Sequence, residues 1–235
     1  MSVSLRVLTH NIRHGLGLDN KVSLERIAWN ILTSKAEICG IQEVDRFLPR
    51  SGLINQAKSL ANLCGMSYAF GANVGWSRLA AYGTAILSRY PIIAVHNYPL
   101  PGTGEKRGLL KVVIEKDNLI INFFTTHLTL NAEERIAQVA AINEVLATVE
   151  GPVILTGDFN EEVTGKAVSL LLSGGMFNCL PQNGADIPTY PATNPQKQID
   201  YIFAKGQWQV ALAKVINSRG SDHLPYLVQL KKAED

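Results

Sequence analysis

The sequence predicts an α/β (α+β) chain folded as a four-layer αββα sandwich, two packed mixed β-sheets flanked by helices, with residues 1–235 forming one domain. Three observations predict it. Strand-like apolar runs outnumber helical ones, the helical segments lie between sets of strands, and each helix carries a single apolar stripe. A stripe of that kind covers one face of a sheet, and the other face of an apolar sheet needs a second sheet. With 235 residues, 46% of them hydrophobic and 18% charged, the chain has ample material for a large core.

Each element has its own local warrant. Ser4 to Asn11 alternates, with Leu5 and Val7 on one face, and reads as a strand. Ser23 caps a helix whose stripe is Leu24, Ile27, Ala28, Ile31 and Leu32. Ala36 to Ile41 is a short apolar strand ending at Gln42-Glu43. A second helix carries Leu53, Ala57, Leu60, Ala61 and Cys64, and Gly65 stands where a C-terminal cap belongs. Gly83 to Ser88, Ile92 to Tyr98, Gly108 to Glu115 and Leu119 to Thr126 read as strands, the last two joined by a turn at Lys116-Asp117-Asn118. Asn131 and Glu134 form a capping box for a long helix with Ile136, Val139, Ala140, Ile142 and Val145 on its apolar side. Val153 to Thr156 is a buried-type strand. Thr164 caps a shorter helix through Leu172, stopped by Gly174-Gly175. Asn178 to Gln198 is a long loop rich in Pro, Asn and Gly, the kind that often carries function. Ile199 to Phe203, Trp208 to Ile216 and Leu224 to Leu230 are the final strands.

Short polar motifs close several of these apolar runs: Thr9-His10-Asn11-Ile12, Gln42-Glu43-Val44, Thr126-His127-Leu128, Gly157-Asp158-Phe159-Asn160, Gln198-Ile199-Asp200-Tyr201 and Ser221-Asp222-His223. Strand ends opening onto loops are a common place for an active site. Glu43 follows a strand among apolar residues, where an unpaired carboxylate is costly and a bound cation relieves the cost. Taken singly, it reads equally well as half of a salt bridge with Arg46 or Arg50. Asn11 and Asp222 add oxygen ligands of the kind hard cations such as Mg²⁺ prefer. Asp158 and Asn160 sit two apart, so in extended backbone both point to one side, toward one phosphate or one water; alone, Gly-Asp-x-Asn also reads as a turn. His223 can exchange a proton near neutral pH, with Asp200 as the carboxylate that orients it. His127 can donate a hydrogen bond to a phosphate oxygen.

Composition narrows the partners. The formal net charge is +2, from 22 Lys and Arg against 20 Asp and Glu, which does not advertise bulk nucleic-acid binding. The start, Met1-Ser2-Val3-Ser4-Leu5-Arg6, lacks the pattern of a signal peptide, and no apolar run is long enough to span a bilayer. Cys39, Cys64 and Cys179 sit in apolar surroundings without zinc-type or CxxC spacing. The expectation is a cytoplasmic protein with reduced core cysteines.

The six motifs, in this order, resemble the endonuclease/exonuclease/phosphatase superfamily, which includes pancreatic-type deoxyribonucleases, abasic-site endonucleases, neutral sphingomyelinases, inositol polyphosphate phosphatases and deadenylases. The resemblance runs from Asn11 to His223. Asn11-Ile12-Arg13-His14-Gly15, Gln42-Glu43-Val44-Asp45-Arg46 and the segment Tyr82 to Ile92 are similar to the small bacterial branch. The resemblance implies Mg²⁺ or Mn²⁺ on Glu43 with Asn11 and Asp222 nearby. It further implies Asp158 and Asn160 positioning water and substrate or holding a second ion, a His223–Asp200 pair on the attacked phosphate, and His127 stabilising its developing charge. Whether Asp158 or His223 takes the water's proton stays open. The inositol phosphatase Cys-Asp-Arg pattern is absent, and His127 stands where abasic endonucleases carry tyrosine.

The expected activity is metal-assisted, in-line attack of water on phosphorus, in a phosphodiesterase before a monoesterase. The substrate is a phosphate ester: short or single-stranded nucleic acid, a phospholipid head group or a small molecule. Tyr190, in Thr189-Tyr190-Pro191, is expected to line one wall of the pocket, and Tyr82 with Trp76 leaves a weak lipid contact open. Arg107 is a phosphate-binding candidate, with a solvated surface position as the alternative. A non-catalytic binding module of the same fold is the competing class.

Overall fold

The computed structural model describes residues 3–75 and 79–232. Trp76 lies outside the described residues. Among the described residues, twelve strands form two mixed six-stranded sheets. One sheet has the order β11-β12-β1-β2-β4-β3, from Trp208–Val215, Tyr226–Lys232, Ser4–Asn11, Ile38–Arg46, Ala81–Ser88 and Ser67–Gly75. The other has the order β5-β6-β7-β8-β10-β9, from Ile92–Leu100, Arg107–Lys116, Leu119–His127, Val153–Asp158, Asp200–Lys205 and Phe177–Asn178. Helices α1 (Leu24–Ser34) and α2 (Gln56–Cys64) cover the first sheet, and α3 (Ala132–Ala147) and α4 (Lys166–Ser173) cover the second. The four-layer sandwich expected from the sequence is the fold observed.

Three apolar layers hold it together. Leu5, Val7, Ile86, Val112, Phe123, Ile154 and Val228 fill the space between the sheets. Leu8, Cys39, Ile41 and Leu87 meet Ile27, Ile31 and Leu60 under α1 and α2. Phe124, Leu155 and Phe203 meet Val139, Ile142 and Leu171 under α3 and α4. Each central strand therefore buries both faces, which is why its sequence reads as a continuous apolar run. All three cysteines are free and buried, as expected.

Several sequence expectations shift. β2 does not stop at Gln42-Glu43 but runs on to Arg46, across a register break between Ile41 and Val44. Strand β3 was not expected, because Ser67 to Gly75 lacks a continuous apolar run; it is the edge strand of its sheet. Leu53 precedes α2 and is exposed, as are Leu32 and Ala140 on their helices, so those stripes are narrower than expected. Asn131 accepts from the N–H groups of Glu133 and Glu134, but Glu134 reaches Thr103 instead of returning to the cap, so the capping box is half made. Thr164 does not cap α4. Gly165 occupies that position, and the Glu161 carboxylate accepts from the N–H groups of Ala167 and Val168. At Lys116-Asp117-Asn118 the turn is as expected, with φ of 52° and 63° at Asp117 and Asn118, the left-handed values a tight hairpin requires.

Topology decides where the motifs go. β1 runs parallel to β2, and β7 parallel to β8, so Asn11, His127 and Asp158 at their C-terminal ends are brought together with Glu43 in β2. β10, β12, β4 and β6 run antiparallel to their neighbours in those pairs. Their N-terminal ends, with Asp200, His223, Tyr82 and Arg107, therefore arrive at the same edge of the sandwich.

Candidate active site

At that edge lies a cleft of about 450 Å³ lined by Glu43, Tyr82, Glu105, Arg107, His127, Leu130, Asp158, Asn160, Tyr190, Lys197, Ile199, Asp222 and His223. Of the candidate site residues, Asn11 and Asp200 lie buried beside it, and Glu43, Tyr82, Arg107, His127, Asp158, Asn160, Tyr190, Asp222 and His223 form its walls.

The floor is built around Asp158, which is 1% exposed. Its Oδ2 accepts from Asn11 Nδ2 at 3.0 Å and lies 3.5 Å from His127 Nε2 and 3.8 Å from His223 Nε2. Its Oδ1 accepts from the Asn160 N–H at 2.9 Å. That bond makes a turn, with Asn160 at φ 50°, so the segment is not extended as the two-residue spacing suggested. Asn160 Nδ2 donates to Leu128 O at 2.9 Å. The turn still brings both side chains to the cleft.

Glu43 occupies the register break in β2, at φ 57°, a left-handed conformation that is strained for a glutamate. The break turns its carboxylate toward the cleft. Asn11 Nδ2 donates to Glu43 Oε1 at 2.9 Å, while Asn11 Oδ1 accepts from the Arg13 N–H at 3.0 Å. The asparagine thus presents its amide nitrogen to the two carboxylates, where the sequence suggested its oxygen. Neither arginine weighed as a partner takes Glu43: Arg50 makes a two-pronged bond to the buried Asp45, and Arg46 Nε donates to Leu79 O. Burial, reinforced by the charges of Asp158 and Asp222, raises the Glu43 pKa. A cation here would relieve that crowding of charge, so the donor set fits a hard divalent ion. Asp158, Asp200 and His223 also bring one ligand atom each within 4.8 Å of one another, a second grouping able to hold an ion.

The three histidines of this region differ in charge. Burial lowers the His127 pKa to about 3, against the pull of Asp158, so its ring is neutral. Burial likewise lowers His10 to about 3; its Nε2 lies 3.2 Å from His223 O and bonds the backbone of the Ser221-Asp222-His223 loop. Burial also disfavours charge on His223, but Asp200, Asp158 and Asp222 outweigh it and raise its pKa to about 10. His223 Nδ1 and Asp200 Oδ2 are 2.9 Å apart, the pairing expected from the sequence. Thr189 Oγ1 donates to that same Asp200 oxygen at 2.6 Å. Tyr190, next along the loop, sets its ring 4.8 Å from the His223 ring. Asp222 lies 3.6 Å from Arg13 Nε.

On the opposite wall Arg107 is nearly buried, with 10% of its side chain exposed, so the solvated-surface alternative does not hold. Its Nη1 pairs with Glu105 at 3.0 Å, and its Nε has no hydrogen-bond partner among the described residues. Tyr82 stands under the Arg50 guanidinium, 5.2 Å from ring centre to Cζ, and burial raises its pKa.

Sequence reasoning assigned no role to Thr189, His10 or Gln42. Thr189 lay in a segment read only as a pocket wall. His10 and Gln42 sat inside the motifs, but their partners, His223 O in one case and Thr9 and Thr125 in the other, are distant in sequence.

A layered sandwich with carboxylates, amides and imidazoles gathered at one edge defines the class: a phosphohydrolase fold. The model of the endonuclease/exonuclease/phosphatase family matches residues 8–223, and the chain belongs to that family, whose members are phosphoester hydrolases. An endonuclease/exonuclease/phosphatase from Beutenbergia cavernae is 22% identical, with TM-score 0.83 over 98% of this chain and 72% of that one. A mannosyl-6-phosphatase from Bacteroides thetaiotaomicron is 20% identical, with TM-score 0.79 over 96% and 99%. The human nocturnin catalytic domain with bound sulfate is 20% identical, with TM-score 0.76 over 98% and 94%. No curated protein matches the chain in sequence. No helix among the described residues is long and apolar enough to cross a membrane.

Proposed function

We propose that this chain is a Mg²⁺- or Mn²⁺-dependent phosphoric ester hydrolase, and a phosphodiesterase before a phosphomonoesterase. One observation carries the proposal: a buried Asp158 carboxylate stands between a neutral His127 and a charged His223, beside a Glu43 with no cationic partner among the described residues. Glu43 and Asp222 would hold the ion, with Asn11 fixing the Glu43 and Asp158 carboxylates. When bound, it supplies charge neutralisation at the phosphate.

The side chains then divide the work. His223, protonated through Asp200, enters as a hydrogen-bond donor to phosphate and is unfit to be the base. Asp158, held by Asn11 and the Asn160 N–H, is the group that takes the water's proton. His127 donates from a neutral ring to a non-bridging oxygen, where donors matter most as charge builds in the transition state. Arg107 anchors a further substrate oxygen, and Tyr82 and Tyr190 flank the group attached to phosphorus. A cleft of about 450 Å³ suits a small ester or a short single strand better than a duplex lying across it. The likeness to a mannosyl-6-phosphatase supports monoester hydrolysis as the second reading.

The test is release of p-nitrophenol from bis(p-nitrophenyl) phosphate and from p-nitrophenyl phosphate, with Mg²⁺ or Mn²⁺ and with EDTA. The expected result is metal-dependent release, faster from the diester, that falls at least about 10²-fold in His223→Ala. Preference for the monoester selects the second reading. No release from either substrate refutes both.

A further inference from the structure

Beyond the cleft, a separate pocket of about 350 Å³ lies between the outer face of α1 and residues 217–220, lined by Glu25, Arg26, Trp29, Asn30, Asn217, Ser218, Arg219 and Gly220. Its volume is that of a small-molecule site. Trp29 is 68% exposed, an uncommon state for the largest apolar side chain and one that marks binding surfaces. Arg219 is exposed, and its guanidinium has no hydrogen bond or ion pair with any described residue. Arg26, by contrast, is committed to Asp19 at 2.9 Å, and Glu25 accepts from Ser23 Oγ at 2.7 Å, so their charges are already engaged. Asn30 spends its Nδ2 on Ser218 Oγ at 2.8 Å, and its oxygen has no partner among the described residues.

An indole face, two carboxamides and one unpaired guanidinium are the groups that recognise a nucleotide: stacking for the base, amides for its edge, a fork of donors for phosphate. We propose that this pocket binds a nucleotide unit, with the base on Trp29, its edge against Asn30 and Asn217, and its phosphate on Arg219. The site sits directly before Ser221-Asp222-His223, and Ser218 Oγ, which also accepts from the Gly220 N–H, ties that loop to α1. The unit is either a free nucleotide or one residue of a strand whose remainder reaches the cleft.

The experiment reads binding without hydrolysis, in EDTA, through tryptophan fluorescence. Trp208 is buried, and Trp29→Phe assigns the signal. AMP, adenosine, ribose 5-phosphate and a six-nucleotide thymidine oligonucleotide are titrated. Saturable quenching by AMP is expected, with adenosine and ribose 5-phosphate each weaker. Arg219→Ala should weaken AMP at least tenfold at an unchanged melting temperature, and Trp29→Ala should abolish AMP binding by calorimetry. Tighter binding of the oligonucleotide identifies a strand as the source, and equal binding identifies the free nucleotide. Absence of saturable quenching by both, an unaffected Arg219→Ala, or ribose 5-phosphate binding as well as AMP overturns the proposal. Hydrolysis of bis(p-nitrophenyl) phosphate by Arg219→Ala is expected at the wild-type rate, so a hydrolytically inactive protein would refute the phosphoester reading and leave this one to the titration.

Discussion

His127 and His223 show how side chains of one kind acquire different charge states from their surroundings. The His223 ring is held charged by carboxylates on two sides, and linkage gives that a direction. Its folded pKa, about 10, lies above the reference value of 6.5. The resulting stabilisation is therefore complete below about pH 6.5 and is lost as pH climbs through about 10. In EDTA, the melting-temperature advantage of wild type over Asp200→Asn should be largest near pH 6 and shrink toward pH 10; a constant difference would contradict the charged pair. Arg50 offers a second test. It is the two-pronged partner of an Asp45 with no exposed surface, and Arg50→Ala leaves that carboxylate buried with neither bond. Chemical denaturation should show a loss of about 2 kcal/mol. At this scale the candidate residues were legible, because carboxylates and imidazoles stand out after apolar runs. Their partners were not: taken singly, Glu43 read equally well as half of a salt bridge with Arg46 or Arg50, and the fold gives Arg50 to Asp45 and Arg46 to the Leu79 carbonyl.

Elements are joined by contacts that sequence periodicity does not encode. Beneath the cleft Gln42 donates to Thr9 Oγ1 at 3.1 Å and to Thr125 Oγ1 at 2.9 Å, a polar bridge from one sheet to the other. Beside it Gly40 lets the sheets approach, since a Cβ there would overlap Thr156 Oγ1 and come within 2.7 Å of Thr125 Oγ1. Gly40→Ala should therefore cost about 1–3 kcal/mol through overpacking and lower activity by disturbing β2 near Glu43; a wild-type denaturation midpoint would refute it. Glu161 stands in for the missing cap of α4 and also pairs with Arg135 at 3.2 Å. Glu161→Ala should lose about 1 kcal/mol from the cap alone, with hydrogen exchange accelerated in the first turn of α4. Helix and strand positions followed from apolar spacing. The cap did not, because its acceptor, the Glu161 carboxylate, sits six and seven residues before the N–H groups it serves, where no local pattern points to it.

Across the molecule, two sheets face to face let parallel strand pairs deliver their C-terminal ends, and antiparallel neighbours their N-terminal ends, to one edge. That geometry converts six motifs scattered from Asn11 to His223 into one cleft. The sequence by itself determined the layered class, most strand positions and the residue types at the strand ends, because burial on both faces forces continuous apolar runs and leaves polar residues only where the strands stop. The edge strand β3 escaped, since an edge with one wet face needs no such run. Only the tertiary structure decided that Asn11 turns its nitrogen to Glu43 and Asp158, that Asp158 and Asp222 join Asp200 in holding His223 charged, and that Arg107 is nearly buried in the cleft wall. Those outcomes depend on distances between residues far apart in the chain, and on the charge each environment can tolerate once water is excluded.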